Sequence, residues 1–247
     1  MGTNQRAIGF TIIETMLFLA VTGLLAVGIL AGTGSAINQQ RYKDSVNSLQ
    51  SFVQDQYSKV DNVVNDRDAT WSCNSMAGVE QTAGKPRGTG ECLLLGRLLT
   101  VQDDGQQMIA TDVVGYRTAS GSDEAATDVV ELADNYAIAE SPLGREEKSM
   151  AWGATIVKKG SDVAQPMRIL IVRSPLSGGI LTFANMSATA NPEVMINAGV
   201  NREAVPLCVA PSGLTIAGSV LGVRVSPFAS SASAVQVAPE GDKLCDA

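Results

Sequence analysis

Glu14 is a carboxylate set at the head of a stretch that holds no other charge. From Thr15 to Gln40 every side chain is neutral, and Met16 to Gly32 is almost wholly aliphatic, glycine, alanine or threonine. An ionised acid at the border of such a run is costly in hydrocarbon without a partner. Its chemistry is therefore ion pairing, with a positive group at a membrane surface or in an assembly. The other reactive side chains are four cysteines, Cys73, Cys92, Cys208 and Cys245, all beyond the apolar run. An even number in an exported domain reads as disulfides, and four cysteines allow three connectivities. The pairs Cys73–Cys92 and Cys208–Cys245 are favoured because each closes a loop within one region. Loops of this size contribute about 3–4 kcal/mol apiece in a chain-entropy treatment.

Other chemistry is poorly supplied. The chain has no histidine, so the usual Ser-His and Cys-His nucleophile pairs cannot form. It has no P-loop and no glycine-rich dinucleotide fingerprint after a strand. Without CxxC spacing or histidine, a zinc site is disfavoured as well. The adjacent acids Asp103/Asp104 and Asp123/Glu124 lack the alternating oxygen ligands of a dedicated calcium loop and read as solvated turn residues. No catalytic residue, cofactor or metal is expected. A net charge of -7 argues against a general phosphate-backbone binder, and 4% aromatic content against a stacking platform for single strands.

The elements that hold these residues follow from periodicity. At about 1.5 Å per residue, roughly 20 apolar residues cross a bilayer, and the run after Glu14 is long enough. The helix should continue beyond it. Tyr42, Val46, Leu49, Val53, Tyr57, Val60 and Val64 recur at steps of three and four, with Lys43, Asp44, Gln50, Asp55, Lys59 and Asp61 between them. The spacing predicts one long helix from about Phe10 to Asn65, apolar first and amphipathic after. Short β-like runs follow, at Leu93–Val101, Met108–Arg117, Val129–Ala139, Ala151–Lys158, Arg168–Arg173, Ile180–Phe183, Val205–Val209, Leu214–Ala217, Val220–Val225 and Ala234–Val237. Pro175 to Gly179 is a hairpin turn signal, and Asp104-Gly105 and Ser212-Gly213 mark further turns. The fold class is α+β, a long helix packed on a mostly antiparallel sheet.

The segment Gly9-Phe10-Thr11-Ile12-Ile13-Glu14, set directly against an apolar helix, resembles the N-terminus of type IV prepilins and pseudopilins. The likeness covers about the first sixty residues. It implies a membrane peptidase that cuts after Gly9, and methylation of the new N-terminal Phe10. It further implies that Glu14, four positions beyond Phe10, pairs with the N-terminal amine of a neighbouring subunit during assembly. Two desolvated opposite charges are tolerated only together. Many pilins likewise close their C-terminal region with a disulfide. The leader is short and carries a single basic residue, Arg6.

The expected organisation is a leader at 1–9, a transmembrane and filament-core helix at 10–34, and its amphipathic extension at 35–67. A connecting loop at 68–92 and a β-rich head at 93–247 complete it. The resemblance implies a structural subunit of a type IV pilus or a type II secretion-like pseudopilus. The size of the head favours a minor subunit. It would sit as a single-pass protein of the cytoplasmic membrane, then in an extracytoplasmic filament. Its partners would be other pilin or pseudopilin subunits, the prepilin peptidase, the inner-membrane assembly platform and membrane lipid. Nucleic acid is a disfavoured partner, retained only for a filament that serves DNA uptake. The competing reading is a single-pass, membrane-anchored extracytoplasmic domain that binds a ligand or performs hydrolysis.

Overall fold

Thr11 opens the longest element. Its side chain accepts a hydrogen bond from the Glu14 backbone N–H, which caps helix α1, Ile12–Asn62. Glu14 in the first turn and Lys59 in the last both complement the helix dipole. The helix stops at Val63, which is left-handed and returns its N–H to the Lys59 carbonyl. The computed structural model describes residues 11–63, 70–81, 92–118, 126–211, 220–239 and 242–245, with the side chain of Ala31 excepted.

The second half of α1 buries the stripe expected from its spacing. Tyr42, Val46, Leu49, Val53, Tyr57 and Val60 are all buried, while Asp44, Asp55 and Asp61 face solvent. Val64 lies outside the described residues. The stripe packs on strands, named here in chain order. They are β1 Trp71–Cys73, β2 Val79–Gln81, β3 Cys92–Val101, β4 Gln107–Arg117, β5 Tyr136–Ser149, β6 Thr155–Val157, β7 Met167–Arg173, β8 Ile180–Asn185, β9 Val205–Ala210, β10 Leu221–Val225 and β11 Val235–Val237. Two short helices join them, α2 Asp128–Asn135 and α3 Pro192–Asn197.

Among the described residues every strand pairing is antiparallel. One sheet runs β5-β4-β3-β7-β8, a second runs β11-β10-β9-β6, and β1 pairs with β2. The α1 stripe joins one core with Leu99, Val101, Ile169 and Ile171 of the first sheet and Leu207, Val209, Val223 and Val235 of the second. Buried polar groups fix the helix to both. The Tyr42 hydroxyl donates to the Val209 carbonyl at 2.6 Å and accepts from the Leu221 N–H at 2.7 Å. The Tyr57 hydroxyl shares a 2.8 Å hydrogen bond with Thr182 Oγ1. Burial pushes the Tyr57 phenol up to about 12, its bond to Thr182 only partly opposing the shift. The far face of the first sheet meets α2 and α3, with Leu98, Leu170 and Phe183 against Leu132, Met195 and Ile196.

The architecture is thus a long helix on antiparallel sheets, α+β. Several local expectations need correction. Val129–Ala139 is not a strand: residues 128–135 form α2, capped by the Thr127 side chain, and the strand begins only at Tyr136. Ala151–Lys158 contains a 3-10 turn and a strand of three residues. Within the segment read as a connecting loop, Trp71–Cys73 pairs with Val79–Gln81. Leu214–Ala217 and the Ser212-Gly213 turn lie outside the described residues.

Two glycines have structural reasons. Gly105, in the β3–β4 turn, has φ of +67°, and a Cβ there would meet the Ile156 carbonyl oxygen at 2.3 Å. Gly222 lies under a disulfide, where a Cβ would stand 2.6 Å from Cys245 Sγ. That disulfide joins Cys208 to Cys245 across a Cα separation of 5.5 Å and holds the C-terminal segment on β9. Cys73 and Cys92 form the other, at 6.0 Å, and tie the small hairpin to the start of β3.

Candidate functional site

None of the described residues in the first half of α1 is buried. Ile12 is 76% exposed and Leu30 71%, and Leu17, Leu19, Leu24 and Val27 stand equally clear. Soluble monomers rarely expose apolar patches beyond a few hundred Å², so this surface requires a cover. By length and composition the helix could cross a membrane: its most apolar 18-residue window has a mean hydropathy of 2.2 and is 0% buried.

Three of its threonine hydroxyls bond back to the helix backbone. Thr15 Oγ1 donates to the Ile12 carbonyl at 2.9 Å, Thr22 Oγ1 to Phe18 at 2.8 Å and Thr33 Oγ1 to Leu30 at 3.0 Å. Such back-bonding satisfies these three threonine hydroxyls within the helix, as hydrocarbon demands. Gly23, Gly28, Gly32 and Gly34 have no neighbour within 4 Å of a notional Cβ. Their small size is unused within the chain and leaves room for close approach of another helix.

Glu14 stands exposed in the first turn, and among the described residues no cation lies within ion-pair distance of it. Gly9 and Phe10, the expected processing positions, fall outside the described residues. The structure therefore gathers Glu14 and the apolar half on one rod. It leaves the four cysteines in the head, far along the chain from Glu14 and engaged with each other.

Sequence reasoning missed a charged cluster where α1 ends on the first sheet. Arg97, nearly buried on β3, donates to Asp112, to the Gly144 carbonyl at 2.7 Å, to Gln56 Oε1 at 2.8 Å and to Glu146 at 3.0 Å. Lys59 donates to Glu146 at 2.6 Å and pairs with Asp55 at 2.7 Å. Burial alone would raise the Glu146 carboxyl, but hydrogen bonds from Lys59 and Gln56 and the Arg97 charge outweigh it and hold it below its ordinary range. Burial would likewise lower Lys59, and its bonds to Asp55 and Glu146 outweigh that and raise it. The signal was one arginine in the run Leu93-Leu94-Leu95-Gly96-Arg97-Leu98-Leu99. Lone buried charges are not tolerated, so partners had to exist. The cluster is a structural tie between helix and sheet.

Thr111, Glu140, Ser141, Pro142 and Arg145 line an open hollow of about 380 Å³. Glu140 there accepts from Thr111 Oγ1 at 3.0 Å and faces Arg168 at 3.4 Å, while Ser141 Oγ accepts from the Leu143 N–H. Asp104 is a turn acid that accepts from the Gln106 N–H, and Asp123 and Glu124 lie outside the described residues. Among the described residues no group of three or more Cys, Asp or Glu side chains could hold a metal ion. Comparison with known proteins found no matching family model, no matching curated protein and no matching solved structure.

Proposed function

We propose that this chain is a pilin-like structural subunit, anchored by the first half of α1 in the cytoplasmic membrane and later packed through that half into an extracytoplasmic filament. One observation carries the reading. A single continuous helix buries its second half in a folded head and, among the described residues, leaves an apolar first half, charged only at Glu14, without a partner. A plain membrane anchor accounts for the apolar surface. It does not account for Glu14 four residues after Phe10, or for the run Gly9-Phe10-Thr11-Ile12-Ile13-Glu14 that resembles a prepilin processing site. Four small residues without neighbours add room for helix–helix packing.

In this reading the peptidase cuts before Phe10 and creates a free amine at the start of α1. Lipid covers the apolar half until assembly, when neighbouring helices replace it. Glu14 then checks register: it is desolvated only where the amine of an adjoining copy meets it, because an unpartnered buried charge is heavily penalised. The head, with about 180 residues and two disulfides, faces outward. Its size favours a minor subunit, and polymer growth is left to a separate motor.

Glu14→Ala tests the reading in cells that make the peptidase and the assembly machinery. Cleavage of the leader stays intact, and recovery of the variant in sheared filaments falls about tenfold, the effect of a pairing energy near 1.4 kcal/mol. Incorporation equal to the wild type would remove the proposed role of Glu14.

A further inference from the structure

Arg41 is the first charge after Glu14, and it lies 27 residues further along α1. At about 1.5 Å per residue the two charges are about 40 Å apart. A bilayer with its headgroups is about 40–45 Å thick, around about 30 Å of hydrocarbon. The uncharged span therefore matches the whole membrane, headgroups included, and it ends just where α1 enters the head at buried Tyr42. A second side chain stands at that junction. The Arg41 guanidinium carbon lies 4.6 Å from the centroid of the Trp152 ring.

Trp152 is held there against local preference. It sits in the 3-10 turn Ala151–Gly153 with φ of 59° and ψ of 28°, the left-handed region that large side chains avoid. The turn is pinned because buried Met150, just before it, donates its N–H to the Gln106 carbonyl at 2.8 Å. Despite that rigid support Trp152 is 53% exposed. A strained backbone that projects a half-exposed tryptophan stores free energy with no return in the core. An indole has an apolar body and one N–H donor, the pattern that favours the membrane–water interface, and an adjacent guanidinium favours phosphate.

We infer that Arg41 and Trp152 form an interfacial lock, which seats the base of the head on the phospholipid headgroup layer and sets the depth of α1 before assembly. The inference rests on the membrane-anchor part of the proposed function and adds the surface and the lipid layer that the head engages. Continuity with the apolar half-helix chooses lipid over a protein partner: the pair marks the end of the span, at headgroup height. Filament extraction would then break this contact together with the burial of the helix.

The chain holds two tryptophans, which supply both probe and control. Trp71 lies in β1, tied by Cys73–Cys92 to the start of β3, whereas Trp152 follows the strand that pairs beside the far end of β3–β4. Ten strand residues separate those ends, or about 33 Å. The full chain is reconstituted in vesicles of phosphatidylcholine and phosphatidylglycerol, with and without lipid brominated near the top of the acyl chain. In Trp71→Phe the remaining indole emits to the blue of its detergent-free value, and brominated lipid removes most of its emission. In Trp152→Phe the remaining indole keeps its emission in brominated lipid. Should Trp71→Phe fail to fold, the difference between wild type and Trp152→Phe gives the same readout. A protein that floats with the vesicles after an alkaline wash, yet whose Trp152 is untouched by brominated lipid, overturns the lock and leaves the anchor standing. A protein that does not float overturns the anchor, and the lock with it.

Discussion

Deleting residues 1–38 separates the two halves of α1 by experiment. Among the described residues from Thr11 to Asn38 none is buried, and every hydrogen bond they make stays within the helix. Removing them uncovers no buried side chain among the described residues, so the stability change stays within about 0.5 kcal/mol. For a domain of this size that is a shift of about 2 °C or less in Tm. A longer deletion, to residue 48, behaves differently. It removes Tyr42 with both its hydrogen bonds, and Val46. Loss of a buried aromatic costs about 3–5 kcal/mol, and a buried valine about 1.5–3 kcal/mol. The sum is about 4.5–8 kcal/mol, set against a total stability of about 5–15 kcal/mol. Its Tm should fall by at least about 10 °C. Thermal melts followed by circular dichroism, without detergent, compare the two truncations with the disulfides intact. A drop of more than about 5 °C for the shorter deletion, well above the shift expected of an uninvolved segment, would mean that the apolar half packs on the head. It would then not be free for lipid or neighbours.

Arg97→Ala removes the buried guanidinium bonded to Asp112, Gln56 Oε1, the Gly144 carbonyl and Glu146, and it should cost about 3–5 kcal/mol in chemical denaturation; a loss under about 1 kcal/mol, the range of surface pairs, would make the cluster ornamental. The same cluster sets the pH response. Glu146 has a lowered folded value, so its contribution is complete above the ordinary carboxylate range and is lost as pH falls through about 4.3 and below. Lys59 has a raised folded value, so its contribution is complete below about 10.4 and is lost as pH rises past its folded value. Glu146→Gln should flatten the acid limb of the Tm-against-pH curve, and an unchanged limb would contradict the assignment.

The elements legible in the sequence were those whose pattern is set by one neighbour. The stripe from Tyr42 to Val60 buries one helix face, so its period survives in the residues. The β7–β8 hairpin is marked by apolar runs around Pro175–Gly179. Helix α2 was misread because Val129 and Val130 favour strands, although Val129, Leu132, Ala133 and Tyr136 do follow helical steps after the Thr127 cap. Helix α3 carried an unread signal, Asn191 as cap and Pro192 in the first turn. The second half of β5, through Gly144-Arg145-Glu146-Glu147-Lys148, has no strand pattern at all. It is an edge strand, held by pairing to β4 and by the Arg97 cluster rather than by its own periodicity. Glu14 was visible as the charge set directly against a long apolar run. Trp152 was not, because its place beside Arg41 depends on a turn that brings together residues more than a hundred positions apart.

The central claim is that the apolar half of α1 belongs to a processed subunit. The mature N-terminus tests it most directly. The full chain is expressed in cells that make a prepilin peptidase, and its N-terminal peptide is read by mass spectrometry. A chain that begins at Phe10, with a methyl group on its amine, is the expected result. An intact leader, or cleavage at any other position, would contradict it.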